Sequence, residues 1–201
     1  MSNLIYKDQI TADDWTLVEL PKVDQEIRKQ AGKVVVFKLT GENTATAEQI
    51  ANTQIPATGH VLVPLTVYLA RKSELANRVA KNEVGIWLAT HEVLESLTSA
   101  EADLNVFPLI AVHVERFADG RIFSIGNLLR TRYGFKNTLR AFGDVLRDQL
   151  FFLKRSGFDS YLIRADRSAE EALQSLKDFS QPYQGAVDNS LPVWRRVDRS
   201  A

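Results

Sequence analysis

From His60 onward, short apolar runs alternate with amphipathic stretches, and no other feature of the chain constrains its fold as much. Val61–Val63, Val84–Ala89, Leu109–Val114, Thr138–Phe142 and Ser160–Ile163 have the β-branched and aromatic character of short strands bounded by turn residues. Between and after them, Thr66–Asn82, His91–Leu97, Ser124–Tyr133, Asp144–Ser156 and Ser168–Phe179 repeat apolar residues at helical spacing. Thr66 and Ser168 are N-cap residue types, and Ser168 with Glu171 spells a capping box. Gly134 and Gly157 suit the left-handed position just past a helix. Strands that alternate with helices pair in parallel through right-handed crossovers. The expected class is therefore α/β, with repeated βα units forming a mainly parallel sheet. Five clear units are too few for an eight-fold barrel, which leaves an open sheet or a partial TIM-like barrel.

The flanks are less regular. Residues 1–58 hold a short strand around Trp15–Leu20 that ends at Pro21, a second over Lys33–Leu39, and a helical turn over Thr46–Asn52. They are expected to form an N-terminal β cover on a βα core of residues 59–180, followed by a tail over residues 181–201, all within one domain. Neither a signal-peptide pattern nor an apolar run of about twenty residues occurs, so a cytoplasmic location without a membrane partner is expected.

With 25 basic and 25 acidic residues, the overall charge gives no reason to expect nucleic acid. The basic residues are nevertheless concentrated: residues 116–167 carry eleven Lys/Arg and five Asp/Glu. The chain has no cysteine, which excludes disulfides, thiolate metal sites and thiol nucleophiles within it. His60, His91 and His113 lack metal-ligand spacing, so no metal site is expected. There is no GxxxxGK[ST] or GxGxxG, and the sequence names no cofactor.

Parallel α/β proteins place ligands at the carboxyl ends of their strands. That rule selects His91 after the second strand; Asp119, Gly120, Arg121 and Ser124 after the third; Arg140 and Asp144 at the fourth; and Arg164 at the fifth. In DGRIFS, the Asp-Gly turn can aim Arg121 and the first helix amides at one anion, or Asp119 can simply close the turn while Arg121 pairs with a carboxylate. Asp144 and His91 are the candidate acid–base groups, although acids in a first helical turn and a histidine at a helix start are also ordinary structural choices. His113, inside an apolar strand, reads as a satisfied core residue. Phe151 and Phe152 point about 100° apart on a helix, so one of them is a candidate for a partner or homodimer face. Trp194 marks the tail as a second docking candidate.

Three segments, FADGRIFSIGNLLRTRYGF, LRAFGDVLRDQLFFLKRSGFD and VLVPLTVYLARKSEL with VGIWLAT, closely resemble a bacterial family catalogued as domain of unknown function 934. That family is described as an oxidoreductase involved in sulfite reduction, and its genes commonly lie beside those of assimilatory sulfite reductase. The resemblance spans about residues 60–165 and is carried by Asp119, Gly120, Arg121, Ser124, Leu129, Arg130, Leu139, Arg140, Ala141, Gly143, Asp144, Asp148, Gln149, Gly157 and Phe158. Ile122 stands where a glycine is usual, and Ser156 where many members have cysteine, so thiol chemistry at that position does not carry over. The resemblance implies an accessory protein of sulfite reduction that binds an anion, or the sulfite reductase itself, through the arginine-rich loop face. An α/β enzyme acting on a phosphorylated or carboxylated metabolite, and an assembly protein, are the competing expectations.

Overall fold

The computed structural model describes residues 3–21 and 45–196. Among the described residues eight strands run in chain order: β1 (Leu4–Tyr6), β2 (Gln9–Thr11), β3 (Trp15–Leu17), β4 (His60–Pro64), β5 (Val84–Ala89), β6 (Leu109–Val114), β7 (Thr138–Gly143) and β8 (Ser160–Leu162). The helices among the described residues are α1 (Ala47–Asn52), α2 (Leu65–Ala80), α3 (Leu94–Ala100), α4 (Arg121–Thr131), α5 (Arg147–Arg155), α6 (Ala169–Ser175) and α7 (Val193–Arg196). None of them is long and apolar enough to cross a membrane. The strand expected over Lys33–Leu39 lies outside the described residues.

All eight strands join one sheet in the order β2-β1-β8-β7-β6-β5-β4-β3. From β3 to β8 every neighbouring pair is parallel, and β1 and β2 add an antiparallel hairpin beyond β8. Each βα unit advances by one strand, which is the winding of a barrel rather than of a doubly wound sheet.

The connection from β2 to β3 shows that the sheet is curled. These strands occupy opposite edges, yet Thr11 and Trp15 are only four residues apart in sequence. Four residues reach at most about 14 Å, whereas seven strand spacings in a flat sheet amount to about 33 Å. The two edges must therefore approach each other, and the molecule is a half-barrel whose opening is crossed by residues 12–14.

Strand parity sorts the core. Val61, Val63, Ile86, Leu88, Ile110, Val112, Leu139 and Ala141 face outward and pack with Leu75, Leu97, Ile122, Leu129, Leu150 and Leu153 from the helices. Their alternates, among them Leu62, Trp87, Leu109, Ala111, Phe142 and Leu162, form a second cluster drawn from strands alone. The helices therefore cover one face, and the other is the concave interior of the half-barrel.

Several local expectations shift. Pro64 rather than Thr66 is the N-cap of α2, because the helix leaves β4 without a loop. α3 and α5 begin three residues later than the sequence suggests, at Leu94 and Arg147, leaving His91 and Asp144 in loops. Ser168 does cap α6 by accepting the Glu171 N–H at 3.2 Å, but its hydroxyl donates to Glu170. Gly134 and Gly157 take the left-handed conformation expected past α4 and α5, with φ of 63° and 102°. The β1–β2 hairpin turns on Lys7 and Asp8, both at positive φ without the glycine or asparagine that would announce such a turn.

Candidate functional site

The carboxyl ends of β3 to β7 surround a cavity of about 610 Å³ that opens on the concave side. Its floor is one rung of the sheet, on which Ala89, His113 and Phe142 are in register. The His113 ring lies 4.8 Å from Phe142, and Trp87 meets it edge-on at 5.7 Å. Trp87 is itself fixed by donating its indole N–H to the Val18 carbonyl at 2.9 Å. Gly143 makes room for the imidazole: it sits at φ 98°, and a Cβ there would lie 2.4 Å from the Val114 carbonyl oxygen and 2.7 Å from the His113 ring.

Burial pushes the His113 pKa below its ordinary value; Glu115 and Glu19 pull the other way, and His91 adds to the depression. His91, in the turn after β5, also lines the cavity, and its Nδ1 is buried without a hydrogen-bond partner. Next to it, burial pushes the Glu92 carboxyl up while the Ala89 N–H, donating to it at 2.7 Å, holds it down. A buried imidazole nitrogen without a partner is destabilising by about 1–3 kcal/mol, so it marks a place where a bound molecule gains affinity.

Around this mouth the loop carboxylates and arginines pair among themselves. Asp119 is buried; Arg121 forks onto it at 2.6 and 2.9 Å, and the Thr90 hydroxyl donates to it. The Arg121 fork holds its carboxyl down to about 2, against the opposing effect of burial. Asp144 accepts Arg164 at 2.7 Å and the Phe117 N–H at 2.9 Å, while Arg164 also forks onto Asp166 at 2.6 and 2.9 Å. Gly120 is the exposed N-cap of α4 and Ser124 is exposed on its first turn.

His91, Asp119, Gly120, Arg121, Ser124, Asp144 and Arg164 thus all belong to loops or helix starts that follow the strands. Arg140 does not. It is the third residue of β7, on the concave face in register with Ser160, and it is buried. Its Nη1 donates to both carboxylate oxygens of Asp13 at 3.0 Å, and its Nε donates to Ser160 at 3.2 Å. Sequence reasoning read His113 as a satisfied core residue, whereas it lines the cavity, and it passed over Glu19 and Glu115. Parity was the usable signal for His113, since it alternates with Val112 and Val114, whose faces belong to the helix-side core.

Two other depressions carry less chemistry. One of about 460 Å³ lies beside α2, where Tyr68 donates to Glu101 and Lys72 pairs with the same carboxylate at 2.9 Å. Another, of about 340 Å³ near Lys7 and Lys136, lies at the amino ends of the strands, the end that serves stability in barrels.

A singly wound, mostly parallel sheet with helices on one face and a histidine-bearing cavity at its carboxyl ends defines a half-barrel α/β protein. Residues 85–194, from β5 to α7, match the family described as "Bacterial protein of unknown function (DUF934)", and the chain belongs to that family. No curated protein and no solved structure matches it.

Proposed function

We propose that the protein is an accessory factor of assimilatory sulfite reduction that acts by holding a small molecule in the mouth of its half-barrel. The mouth carries this reading through one observation: a buried, unpartnered His91 nitrogen in a cavity whose size is usual for small-molecule sites. The link to sulfite reduction comes from the sequence resemblance alone, since the family whose model matches is described only as a bacterial protein of unknown function. The rim around Asp119, Gly120, Arg121 and Ser124, with Asp144 and Arg164, is the face assigned to the sulfite reductase. A small anion at this loop competes with Asp119 for Arg121, whereas a protein surface can exchange one ion pair for another.

The test is growth of a strain lacking the gene on sulfate, sulfite or sulfide as sole sulfur source. Growth is expected on sulfide alone, with wild-type protein restoring growth on the other two. Leu69 lines the cavity, so Leu69→Trp fills it and, at equal protein level, is expected not to restore growth. Undiminished growth without the gene overturns the sulfite assignment. Full restoration by Leu69→Trp overturns the role of the mouth.

A further inference from the structure

Building on the mouth as a ligand site, we propose that its ligand is an organic ammonium ion: a protonated amine carried on an apolar body. Every ionisable group among the described lining residues is an acid or a histidine, namely Glu19, Glu92, Glu115, His91 and His113. Because burial holds the His113 pKa below its ordinary value, its ring adds little positive charge at neutral pH. An anion entering the cavity therefore meets three carboxylates. Two features oppose them. The start of α2 at Pro64–Thr66 offers about half a positive charge, and Arg121 acts on Glu115 from outside, but with its fork already on Asp119. Among the described residues neither balances the carboxylates, so this lining disfavours the sulfur oxyanion or metabolite phosphate that an arginine-rich sequence suggests.

An ammonium group finds complementary partners instead. The carboxylates of Glu19 and Glu115 are acceptors, and in the His91 tautomer that carries its proton on Nε2 an N–H donor from the ligand satisfies the Nδ1 that the protein leaves unpaired. Leu17, Leu20 and Leu69 offer hydrocarbon to the body of the ligand, and Trp87 and Phe142 add aromatic surface that also attracts a cation. The described carboxylates and imidazoles do not gather into a three-ligand group suited to a metal ion, which leaves a point charge on a carbon skeleton.

One carbon skeleton with different head groups tests this. Isothermal titration and thermal denaturation of the full chain are run with isopentylammonium, isopentanol, isovalerate and inorganic sulfite. The ammonium ion is expected to bind and raise Tm, while isovalerate and sulfite do neither. Glu115→Gln and Glu19→Gln are each expected to weaken ammonium binding by about tenfold, the loss of one charge-assisted contact. Leu69→Trp is expected to abolish it, with circular dichroism confirming that each variant is folded. Isovalerate or sulfite binding that disappears in Leu69→Trp overturns the ammonium class and leaves the mouth standing. Ammonium binding untouched by Leu69→Trp, or no binding at all to the wild type, overturns the proposal. In the second case the mouth itself is judged by whether Leu69→Trp complements the gene deletion.

Discussion

Gly143 and His113 show how one backbone position shapes the floor of the mouth. The strand ends at a φ of 98°, and a side chain there has to push aside both a backbone carbonyl and the imidazole. Gly143→Ala is therefore expected to destabilise the fold by about 3 kcal/mol, from left-handed strain plus the displaced neighbours, as read by urea denaturation. His113 also sets a pH dependence. Its folded pKa lies below the unfolded value of about 6.5, so the unfolded chain binds the extra proton first as the solution is acidified. The stabilising effect of a neutral His113 is complete above that value and is lost as pH falls towards the folded pKa. His113→Gln is expected to flatten the stability curve between neutral pH and that point; an unchanged slope in denaturation at several pH values would contradict the burial of this ring.

At the scale of elements, β4 to β8 were legible within a residue or two, because a buried strand is written as a short apolar run with turn residues at both ends. The starts of α3 and α5 were less legible for a shared reason. His91–Glu92 and Asp144 read as first-turn residues, yet Glu92 and Asp144 serve loops by accepting the N–H groups of Ala89 and Phe117. The rim of the site followed from the strand-end rule. The pairing of its arginines did not, since every partner except Asp119 and Asp166 is distant in sequence. The tail makes a prediction of its own. Arg155 on α5 donates to the Gln184 carbonyl and pairs with Asp188 at 3.4 Å, and its carbonyl accepts the Val187 N–H at 3.0 Å. Arg155→Ala removes the side-chain contacts and keeps the backbone one. Limited proteolysis is expected to cut residues 181–196 several-fold faster in this variant, with far-UV circular dichroism unchanged, because cleavage follows local opening rather than global unfolding. Equal cleavage rates would show that the Val187–Arg155 backbone bond, with the Tyr183–Trp194 ring contact and the Arg196 hydrogen bonds inside the tail, keeps the segment closed without the Arg155 side chain.

For the whole molecule, the decisive interaction is the one that ties the opening of the half-barrel to its interior. Residues 12–14 cross from one sheet edge to the other, and Asp13 within that crossing reaches Arg140 on the concave face of β7. The arginine is 6% exposed and Asp13 is 25% exposed, so water screens this pair far less than the rim pairs around Arg164. Removing only the acid strands a buried guanidinium, and Asp13→Ala is expected to destabilise the protein by about 3 kcal/mol. Replacing both partners with apolar residues removes the stranded charge, so Asp13→Ala combined with Arg140→Leu is expected to recover most of that loss in the same denaturation experiment. A ligand-binding Arg140 predicts otherwise: the single Asp13→Ala change would free the guanidinium for an anion, and added sulfate or phosphate would stabilise that variant but not the double one. Recovery in the double variant, without anion stabilisation of the single, identifies Arg140 as the anchor by which a short linker draws the two edges of the sheet together.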